Sequence, residues 1–475
     1  TMKKTAITLF FLLQAACLFS QIPRPEYPRP QFERTDWINL NGEWTYTFDF
    51  GASGLERGYA GSKGFDGKII VPFAPESKLS GVGHTDFIGR IWYQRTIDIP
   101  ADWSGRNVML NFGAVYYTSE VYVDGRFVGR HFGGSTSFSY DITAFVKPGG
   151  SHSLVVFATS DLRSGKQTAG KQSLQYASHS CDYTRTTGIW QTVWMEAVPR
   201  HYIESLRIVP LFDQSAVEVM VRCSQPLQCE ATVDGRTVPF TSGEPARIPM
   251  PDFRAWSPED PYLYDLSVTL GEDRVESYFG MRKMEVRADR GGVKRLFLNG
   301  EPYFQSGLLD QGYWPDGLYT APSDEALIYD IQTAKAMGFN LLRKHIKVEP
   351  MRWYYHCDRL GMLVWQDMPS GGGKYRFSTI TLPLVTGIHR RDNHYRAFAR
   401  ASSQGRGEYM DELEEMVGQL FNAPSVVLWV PFNEGWGQFD STLVMERLRA
   451  LDPTRPVDPA SGWHDQGAGE LRSLH

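Results

Sequence analysis

A glutamate directly follows an apolar run near the C-terminal end of the chain. The seven residues from Val426 to Phe432 are all apolar, and Asn433 and Glu434 come next. Such a run is typical of a strand that is buried on both faces of a parallel sheet. In a barrel of parallel strands, catalytic groups lie at the carboxyl ends of the strands. Glu434 is therefore the first candidate for acid–base chemistry. The alternative is that it caps a helix beginning near Phe439.

Polar residues also follow the other predicted strands of this region, at Asp310 and Gln311, at Arg343 and His345, at Gln366 and Asp367, and at Ser461, Trp463 and His464. If these strands are neighbours in a barrel, their polar side chains converge on one rim. Charged groups gathered over an apolar barrel are costly unless they bind or react with something. For any single member, the alternative is a hydrogen bond that anchors a loop.

Carboxylate chemistry fits this rim better than metal chemistry. His345 has no second histidine at ligand spacing, and a single histidine is more often an ordinary hydrogen-bonding group. We therefore expect neither a metal nor a cofactor. Glycoside hydrolysis needs a proton donor and, in retaining enzymes, a second carboxylate about 5 to 5.5 Å away. Glu434 can supply only one of these two groups.

Helix and strand alternate in the last part of the chain, which is typical of a parallel βα array. The predicted helices span 323–337, 350–360 and 409–421, and the predicted strands span 303–308, 339–342, 362–365, 426–432 and 456–459. A closed barrel needs eight strands. The pattern therefore predicts either a fragment of a (β/α)8 TIM-type barrel, with about five strands present, or an open sheet.

Two all-β domains are predicted before this array, because short alternating segments are separated there by Gly, Pro and Asp. The first spans about 40–197, and the second, about 200–286, has a length typical of a small sandwich. Three hairpins are expected at Asp124-Gly125, Asp234-Gly235 and Asn299-Gly300. Such pairs tolerate positive φ at both central positions of a tight turn.

The first twenty residues predict a secretory signal peptide. Two lysines precede a mostly apolar stretch, and small residues admit cleavage before Gln21. We therefore expect an exported protein, periplasmic or extracellular. The alternative is a lipid anchor at Cys17, which is disfavoured because Gln14 stands where such signals usually carry leucine.

Composition favours a carbohydrate ligand over other partners. The formal net charge is -5 with no block of like charges, so neither nucleic acid nor a membrane surface is favoured, and no segment predicts a membrane span. The 13 Trp and 23 Tyr provide flat rings that suit stacking on sugars, although most should be core residues. Cys223 and Cys229 could form a disulfide or remain free thiols, and the oligomeric state is not predictable.

Several motifs, taken together and in this order, resemble glycoside hydrolase family 2, the group that contains β-galactosidases, β-glucuronidases and β-mannosidases. The resemblance covers nearly all of the chain after the signal peptide. It is carried by Leu-Asn-Gly-Glu-Trp at 40–44, Trp-Tyr-Gln-Arg at 92–95, the hairpin at 121–125, Gly-Ile-Trp-Gln at 188–191, Phe-Gly-Met-Arg at 279–282, Leu-Asn-Gly at 298–300, Arg343 with His345, and Pro-Ser-Val at 424–426 running into Asn433-Glu434.

The resemblance implies a domain organisation. After a signal peptide at 1–20, it implies a sugar-binding jelly-roll domain at 21–199, an immunoglobulin-like β-sandwich at 200–287, and the N-terminal part of a TIM-barrel catalytic domain at 288–475.

The resemblance also implies roles for residues of the rim. Glu434 would be the general acid/base, Asn433 would bond the sugar hydroxyl next to the reacting carbon, and Arg343 would orient and support the nucleophile. Asp310, His345 and Trp463 are expected in the sugar site. An acid catalyst must keep its proton near neutral pH, which we expect Trp429 and Trp436 to promote by desolvating the carboxylate.

The predicted function is that of a retaining exo-β-glycosidase acting on terminal β-linked sugars, with β-galactosides as the first expectation. Gly435-Trp436 follows the glutamate where well-known members carry Pro or Ser, so specificity is not transferable. The family's nucleophile is a Glu at the end of the seventh barrel strand, and Glu470 does not resemble a strand end. We therefore expect the nucleophile beyond His475 and an inactive chain as given. The rival hypothesis is a non-catalytic carbohydrate-binding protein or an inactive relic.

Overall fold

A computed structural model describes residues 22–475, and the predicted signal peptide at 1–20 lies outside them. The first strands form an antiparallel jelly-roll sandwich. They are β1 (Trp37–Asn39), β2 (Gly42–Phe48), β3 (Gly67–Val71), β4 (Arg90–Asp98), β5 (Asn107–Phe112), β6 (Val115–Tyr116), β7 (Thr118–Val123), β8 (Arg126–Phe132), β9 (Phe138–Asp141), β10 (Ser151–Thr159), β11 (Gly188–Ile189) and β12 (Val193–Val198).

Two sheets of this sandwich enclose one apolar core. One sheet has the order β3-β2-β4-β10-β7-β8 and the other β1-β12-β5-β9, while β6 pairs separately with β11. Side chains from both sheets, including Trp44, Tyr93, Leu110 and Met195, meet in the core. The two sheets pack face to face around this core, and a central strand such as β12 is buried along its whole length.

A smaller sandwich follows, as predicted, and a short three-stranded sheet connects it to the last region. The sandwich contains β13 (Ser205–Leu211), β14 (Ala216–Arg222), β15 (Gln228–Val233), β16 (Arg236–Thr241), β17 (Pro245–Pro249), β18 (Tyr264–Leu270) and β19 (Asp273–Phe279), in sheets β13-β14-β17 and β16-β15-β18-β19. The connecting sheet contains β20 (Met284–Ala288), β21 (Lys294–Leu298) and β22 (Glu301–Pro302). Single 3-10 turns occur at Tyr59–Gly61, Ala101–Trp103, Thr143–Phe145 and Phe212–Gln214.

The three predicted hairpins are present with the expected turn geometry. Their first turn residues have φ of 48° at Asp124, 48° at Asp234 and 55° at Asn299, and each following glycine is also at positive φ. Because both central residues lie in the left-handed region, each turn has the twist that joins adjacent antiparallel strands.

The last region is a parallel βα array that forms part of a barrel. It contains β23 (Gly307–Asp310), α1 (Asp324–Ala336), β24 (Leu341–Lys344), α2 (Met351–Leu360), β25 (Leu363–Asp367), α3 (Phe377–Ile380), α4 (Leu382–Thr386), α5 (Ser403–Leu420), β26 (Val426–Val430) and α6 (Ser441–Leu451). The strands pair in chain order as one parallel sheet, β23-β24-β25-β26. Their carboxyl ends therefore lie along one rim.

The predicted strands are shifted by up to four residues at their ends, most at the first strand, and the segment predicted as the fifth is not a continuous strand. The first strand was expected at 303–308 but begins at Gly307, because the Asn340 side chain accepts from Ser306 N and donates to Phe304 O, which takes this backbone out of the ladder. The segment at 456–459 runs beside β26 through isolated parallel bridges, such as Trp429 with Val457, and forms no continuous strand. Its two prolines lack the N–H groups that a full ladder requires.

The predicted helices are present, with one large change at a start. Helix α5 begins at Ser403, six residues before the predicted 409, because Ser402 caps it by accepting from Gly405 N at 3.1 Å. Its first turns carry glycine and polar residues, so they lack an apolar pattern. Helix α6 has Asp440 at its N-cap, so the alternative that Glu434 caps this helix is wrong.

Two further observations concern membrane-spanning helices and cysteines. Within residues 22–475, no helix has the length and apolar character needed to cross a membrane. Cys223 and Cys229 are both free thiols in the structure.

Candidate active site

Asp367, at the end of β25, is the buried hub of the rim. Its carboxylate accepts two hydrogen bonds from Arg343 at 2.9 and 3.0 Å and contacts His345 Nδ1 at 3.0 Å. Burial alone would raise the pKa of Asp367, but the charge of Arg343 and the His345 contact hold it below its usual value. The carboxylate is therefore ionised and fixes the orientation of two polar side chains from β24 and the turn after it.

The turn after β24 has a strained backbone at this point. Ile346 has φ of 42°, which is unusual for a β-branched residue, and its N–H donates to Asp367 Oδ2 at 3.3 Å. Such strain persists only where the surroundings hold it, and it is concentrated at functional sites.

Asn433 joins this hub to Glu434. Arg343 donates from Nη2 to Asn433 Oδ1 at 3.0 Å, so the guanidinium bridges Asp367 and the amide. Glu434 itself has φ of 53°, and its N–H donates to Ser461 O at 2.7 Å. The left-handed turn directs the glutamate side chain away from the line of the buried strand. Arg343, His345 and Asn433 are thus brought together as predicted neighbours, with Glu434 beside them.

The carboxylate of Glu434 has two hydrogen-bonding partners. His475 Nδ1 lies 2.7 Å from Oε1, and Trp436 Nε1 donates to Oε2 at 3.2 Å. Burial raises the pKa of Glu434. The His475 contact, the Trp436 bond and the nearby His345 together lower it by more than burial raises it, so the net pKa is below the usual value. The expectation of a raised pKa is therefore wrong for this arrangement.

Trp429 does not contribute to the rim. Successive residues of a strand point to opposite faces, and Trp429 faces the helix layer, where its Nε1 donates to Asp452 at 2.9 Å. Of the two indoles expected near Glu434, only Trp436 contacts it.

Asp310 and Trp463 lie further from the hub. Asp310 accepts from Lys344 Nζ at 2.8 Å, and Lys344 lies over the Trp353 ring on the helix-facing side of the sheet. The Trp463 ring packs edge-on to His475 with 6.4 Å between ring centroids. A sugar contact by either residue stays a prediction.

Three contributors to the site were not identified as such from the sequence. Asp367 was placed on the rim but not recognised as its hub, although its position at a strand end after Gln366 was a usable signal. Trp436 was expected to exclude water, not to donate a bond, and His475 gave no signal. No group of three or more His, Cys, Asp or Glu side chains within residues 22–475 is arranged to hold a metal ion.

Three stretches of the chain match sequence profiles of one family. Residues 82–199 match the glycosyl hydrolases family 2 sugar binding domain, 201–282 match glycosyl hydrolases family 2, and 319–471 match the glycosyl hydrolases family 2 TIM barrel domain.

Individual relatives are similar over most of this chain. A β-glucuronidase of Canis lupus familiaris is 25% identical over 91% of this chain and 69% of its own length. A β-galactosidase of Thermoanaerobacter pseudethanolicus is 24% identical over 89% of this chain and 55% of its own length. The solved structure of a Ruminococcus gnavus β-glucuronidase superposes with a TM-score of 0.74 at 18% identity, covering 90% of this chain and 73% of that one. This chain thus spans between about half and about two thirds of these two curated relatives.

Proposed function

The chain belongs to glycosyl hydrolase family 2, and on this premise we propose that it is a retaining exo-β-glycosidase in which Glu434 is the general acid/base. The observation that carries the proposal is the chain of contacts from Asp367 through Arg343 to Asn433, beside the Glu434 carboxylate. An ion-paired guanidinium and an adjacent amide at a strand end can hold a sugar hydroxyl in a fixed position relative to an acid.

In the proposed mechanism, Glu434 donates a proton to the glycosidic oxygen while a second carboxylate attacks the anomeric carbon. The bond to the leaving group breaks, and a covalent glycosyl-enzyme forms. Glu434, now ionised, takes a proton from a water molecule whose oxygen attacks the anomeric carbon. The bond between this carbon and the second carboxylate breaks, and the sugar is released with its original anomeric configuration. By family resemblance, the second carboxylate is the glutamate at the end of the seventh barrel strand. Arg343 keeps its orientation for this step because Asp367 holds it.

The His475 contact competes with this mechanism. A general acid must present a free carboxyl oxygen to the leaving oxygen, whereas Oε1 of Glu434 lies 2.7 Å from His475 Nδ1. The leaving oxygen therefore has to replace the imidazole at Oε1 before proton transfer. Removal of this contact would also bring the pKa of Glu434 closer to the range in which it can carry a proton.

We propose a terminal β-linked sugar as the substrate, with β-glucuronides and β-galactosides as the first two to assay. The relatives quoted above carry both of these names. Export is part of the proposal and follows from the predicted signal peptide at 1–20.

The test compares Glu434→Gln with the parent protein, each expressed from the complete coding sequence. Loss of the proton donor should reduce kcat/KM for a phenyl β-glycoside by about 10²- to 10⁴-fold. The reduction should be far smaller for a 2,4-dinitrophenyl β-glycoside, because this leaving group departs without a proton. Equal reductions for both leaving groups would exclude the acid role.

The matched control is Glu470→Gln, a glutamate near the same end of the chain that pairs with Arg449 on the surface. It should keep the kcat/KM of the parent. A parent protein that binds sugars but hydrolyses none of the glycosides, with unchanged affinity in Glu434→Gln, would support the non-catalytic carbohydrate-binding protein instead.

A further inference from the structure

The connection between β25 and α5 carries a concentration of positive charge. We call residues 374–396 the basic rim loop. It contains one acidic residue, Asp392, and five basic residues, which are Lys374, Arg376, Arg390, Arg391 and Arg396. The formal net charge of the whole chain is -5, so this loop differs in sign from the protein that carries it.

The five cations have no close carboxylate partner. Within residues 22–475, none of them lies within 4.0 Å of an Asp or Glu side-chain oxygen. Asp392 is 6% exposed and accepts from Ser441 N at 2.9 Å, so it is turned inward. Of two carboxylates in adjoining loops, Asp440 accepts from the Tyr395 hydroxyl at 2.8 Å, and Asp465 accepts from a backbone N–H two residues later. The positive charge of the loop is therefore not neutralised at contact distance.

The basic rim loop also exposes large apolar side chains. Phe377, Leu384, Val385 and Ile388 are between 49% and 87% exposed. Single exposed apolar residues are common on protein surfaces, but a group of them marks an interaction site. In the sequence, two of the cations precede this apolar stretch and three follow it. Apolar residues flanked by cations are typical of segments that bind at the interface of an anionic bilayer.

The inner side of the loop is fixed to the rest of the barrel region. Thr379 is fully buried, and its Oγ1 donates to Ala397 O at 3.0 Å. His464 bridges the two arms of the loop, because its Nδ1 accepts from Arg390 N at 3.1 Å and its Nε2 lies 2.7 Å from Thr379 O. Ile380 is buried beside Thr379. The exposed side chains are therefore presented to solvent from a backbone that is held in place.

The loop lies at the same end of the barrel strands as the proposed acid. It follows the carboxyl end of β25, and its Tyr375 ring packs edge-on to Trp436 with 4.8 Å between ring centroids. Trp436 in turn donates to Glu434. A surface that binds the basic rim loop therefore lies next to the rim.

We propose that the basic rim loop docks the protein onto an anionic lipid surface. Its cations contact the headgroup phosphates, and Phe377, Leu384, Val385 and Ile388 enter the boundary between headgroups and acyl chains. Three of these four side chains are aliphatic, which favours acyl chains over an acidic polysaccharide, because sugar faces pack on aromatic rings. The inference goes beyond the proposed function and does not rest on it, since docking requires no hydrolysis.

The test is co-sedimentation of the complete protein with vesicles. The parent protein should bind vesicles of equimolar phosphatidylcholine and phosphatidylglycerol but not vesicles of phosphatidylcholine alone. This binding should weaken as NaCl rises from about 0.1 to about 0.5 M. The triple variant Lys374→Gln, Arg376→Gln and Arg391→Gln should bind the anionic vesicles about 10²-fold more weakly, because each cation near such a surface contributes about a fivefold gain.

A second variant removes apolar surface without changing charge. Leu384→Ser with Val385→Ser should weaken binding to the anionic vesicles by about 10-fold. All five substituted residues are exposed, so circular dichroism should show the fold of the parent protein.

The matched control lies in the turn between β20 and β21, where Arg290, Val293 and Lys294 are exposed and neither cation has a carboxylate within 4.0 Å. The triple variant Arg290→Gln, Val293→Ser and Lys294→Gln should bind the anionic vesicles like the parent protein. Equal weakening in this control and in the loop variants would overturn the proposal. No binding to anionic vesicles, or equal binding to both kinds of vesicle, would also overturn it.

Two other occupants of the loop have their own outcomes. Retention of the protein on immobilised heparin without vesicle binding would assign the loop to an acidic polysaccharide and overturn the proposal. A dimer in sedimentation velocity that Leu384→Ser with Val385→Ser disperses, again without vesicle binding, would assign it to a second copy of this chain and overturn the proposal. Vesicle binding by a parent protein that hydrolyses no glycoside would uphold the docking while contradicting the glycosidase.

Discussion

Arg343 and Lys344 are neighbours on β24 but belong to two different charge networks on opposite faces of the sheet. Arg343 pairs with Asp367 and contacts Asn433 on the side of the rim. Lys344 faces the helix layer, where it pairs with Asp310 at 2.8 Å and Glu349 at 3.0 Å. We call the second group, which consists of Asp310, Lys344, Lys347 and Glu349, the lysine cluster.

The two networks differ in where they end. In the lysine cluster, the side chains of Lys344, Lys347 and Glu349 are each 1% exposed, and their charges neutralise each other inside the protein. The Asp367 network leads to Glu434, whose side chain is 29% exposed. Buried charge alone is therefore a poor sign of a functional site. An ion-paired network that leads to an accessible carboxylate at the strand ends is a better one.

Removal of one buried carboxylate from each network is expected to have the largest effect. Both Asp367→Ala and Glu349→Ala leave a buried cation without its partner, so each should lower the free energy of unfolding by about 3 to 5 kcal/mol. Only Asp367→Ala should also lower kcat/KM, because Arg343 then loses its orientation. Urea unfolding and steady-state kinetics on the folded fraction measure the two effects.

Asparagine and glutamine at the same positions provide a milder pair if the alanine variants do not fold. Asp367→Asn should again be the variant that loses activity per folded molecule. If Glu349→Gln lost as much activity as Asp367→Asn, the distinction between a functional and a structural network would have to be abandoned.

A second prediction concerns the pH dependence of the lysine cluster. Burial lowers the pKa of Lys347 to about 8, against an ordinary value of about 10.4. Between these values the unfolded chain binds more protons at this residue than the folded protein does, so stability should rise with pH. The expected slope is up to about 1 kcal/mol per pH unit between about pH 8 and 9.5.

Chemical denaturation of the parent and of Lys347→Met across this window measures the slope. The methionine variant cannot titrate and should lack this contribution. Lys344 is a suitable internal comparison, because Asp310 and Glu349 raise its pKa against burial and it stays charged in this window. A parent protein whose stability falls as pH rises here would contradict the assignment to Lys347.

The sequence predicted best those parts of the fold that local chemistry decides. The three Asx-Gly turns required positive φ whatever surrounds them, and Gly361 ends α2 in the left-handed region for the same reason. The start of β23 was missed because it depends on the side chain of Asn340, the residue directly before β24. The start of α5 was missed because its first turns lack apolar residues.

The sequence predicted which residues lie on the rim but not which residues they contact. Arg343, His345 and Asn433 meet because parallel strands end together. Asp310 also lies at a strand end, but its register partner on the neighbouring strand is Lys344, and it pairs with this lysine on the helix-facing side of the sheet. A shift of one residue along a strand reverses the face on which a side chain lies. The contact of Ala169 and Gly170 with Ser370 was not predictable, because it joins two domains that are distant in the sequence.

The smallest expected effect is a change in the pKa of Glu434, the partly exposed carboxylate beside the Asp367 network. The pKa of Glu434 is held below its usual value against burial, by the bond with His475 first and that with Trp436 second. His475→Ala should therefore raise this pKa, and Trp436→Phe should raise it by less. Carboxyl NMR titration of Glu434 measures both shifts. The control is Glu414, which pairs with Arg447 on the surface and whose pKa should not change.

A lowered carboxyl pKa stabilises the folded protein above the unfolded pKa, and this stabilisation is lost as the pH falls. His475→Ala should therefore also reduce the acid sensitivity of unfolding. An unchanged Glu434 pKa in His475→Ala would mean that the imidazole does not hold the carboxylate in solution, and that the acid is already free for the leaving oxygen.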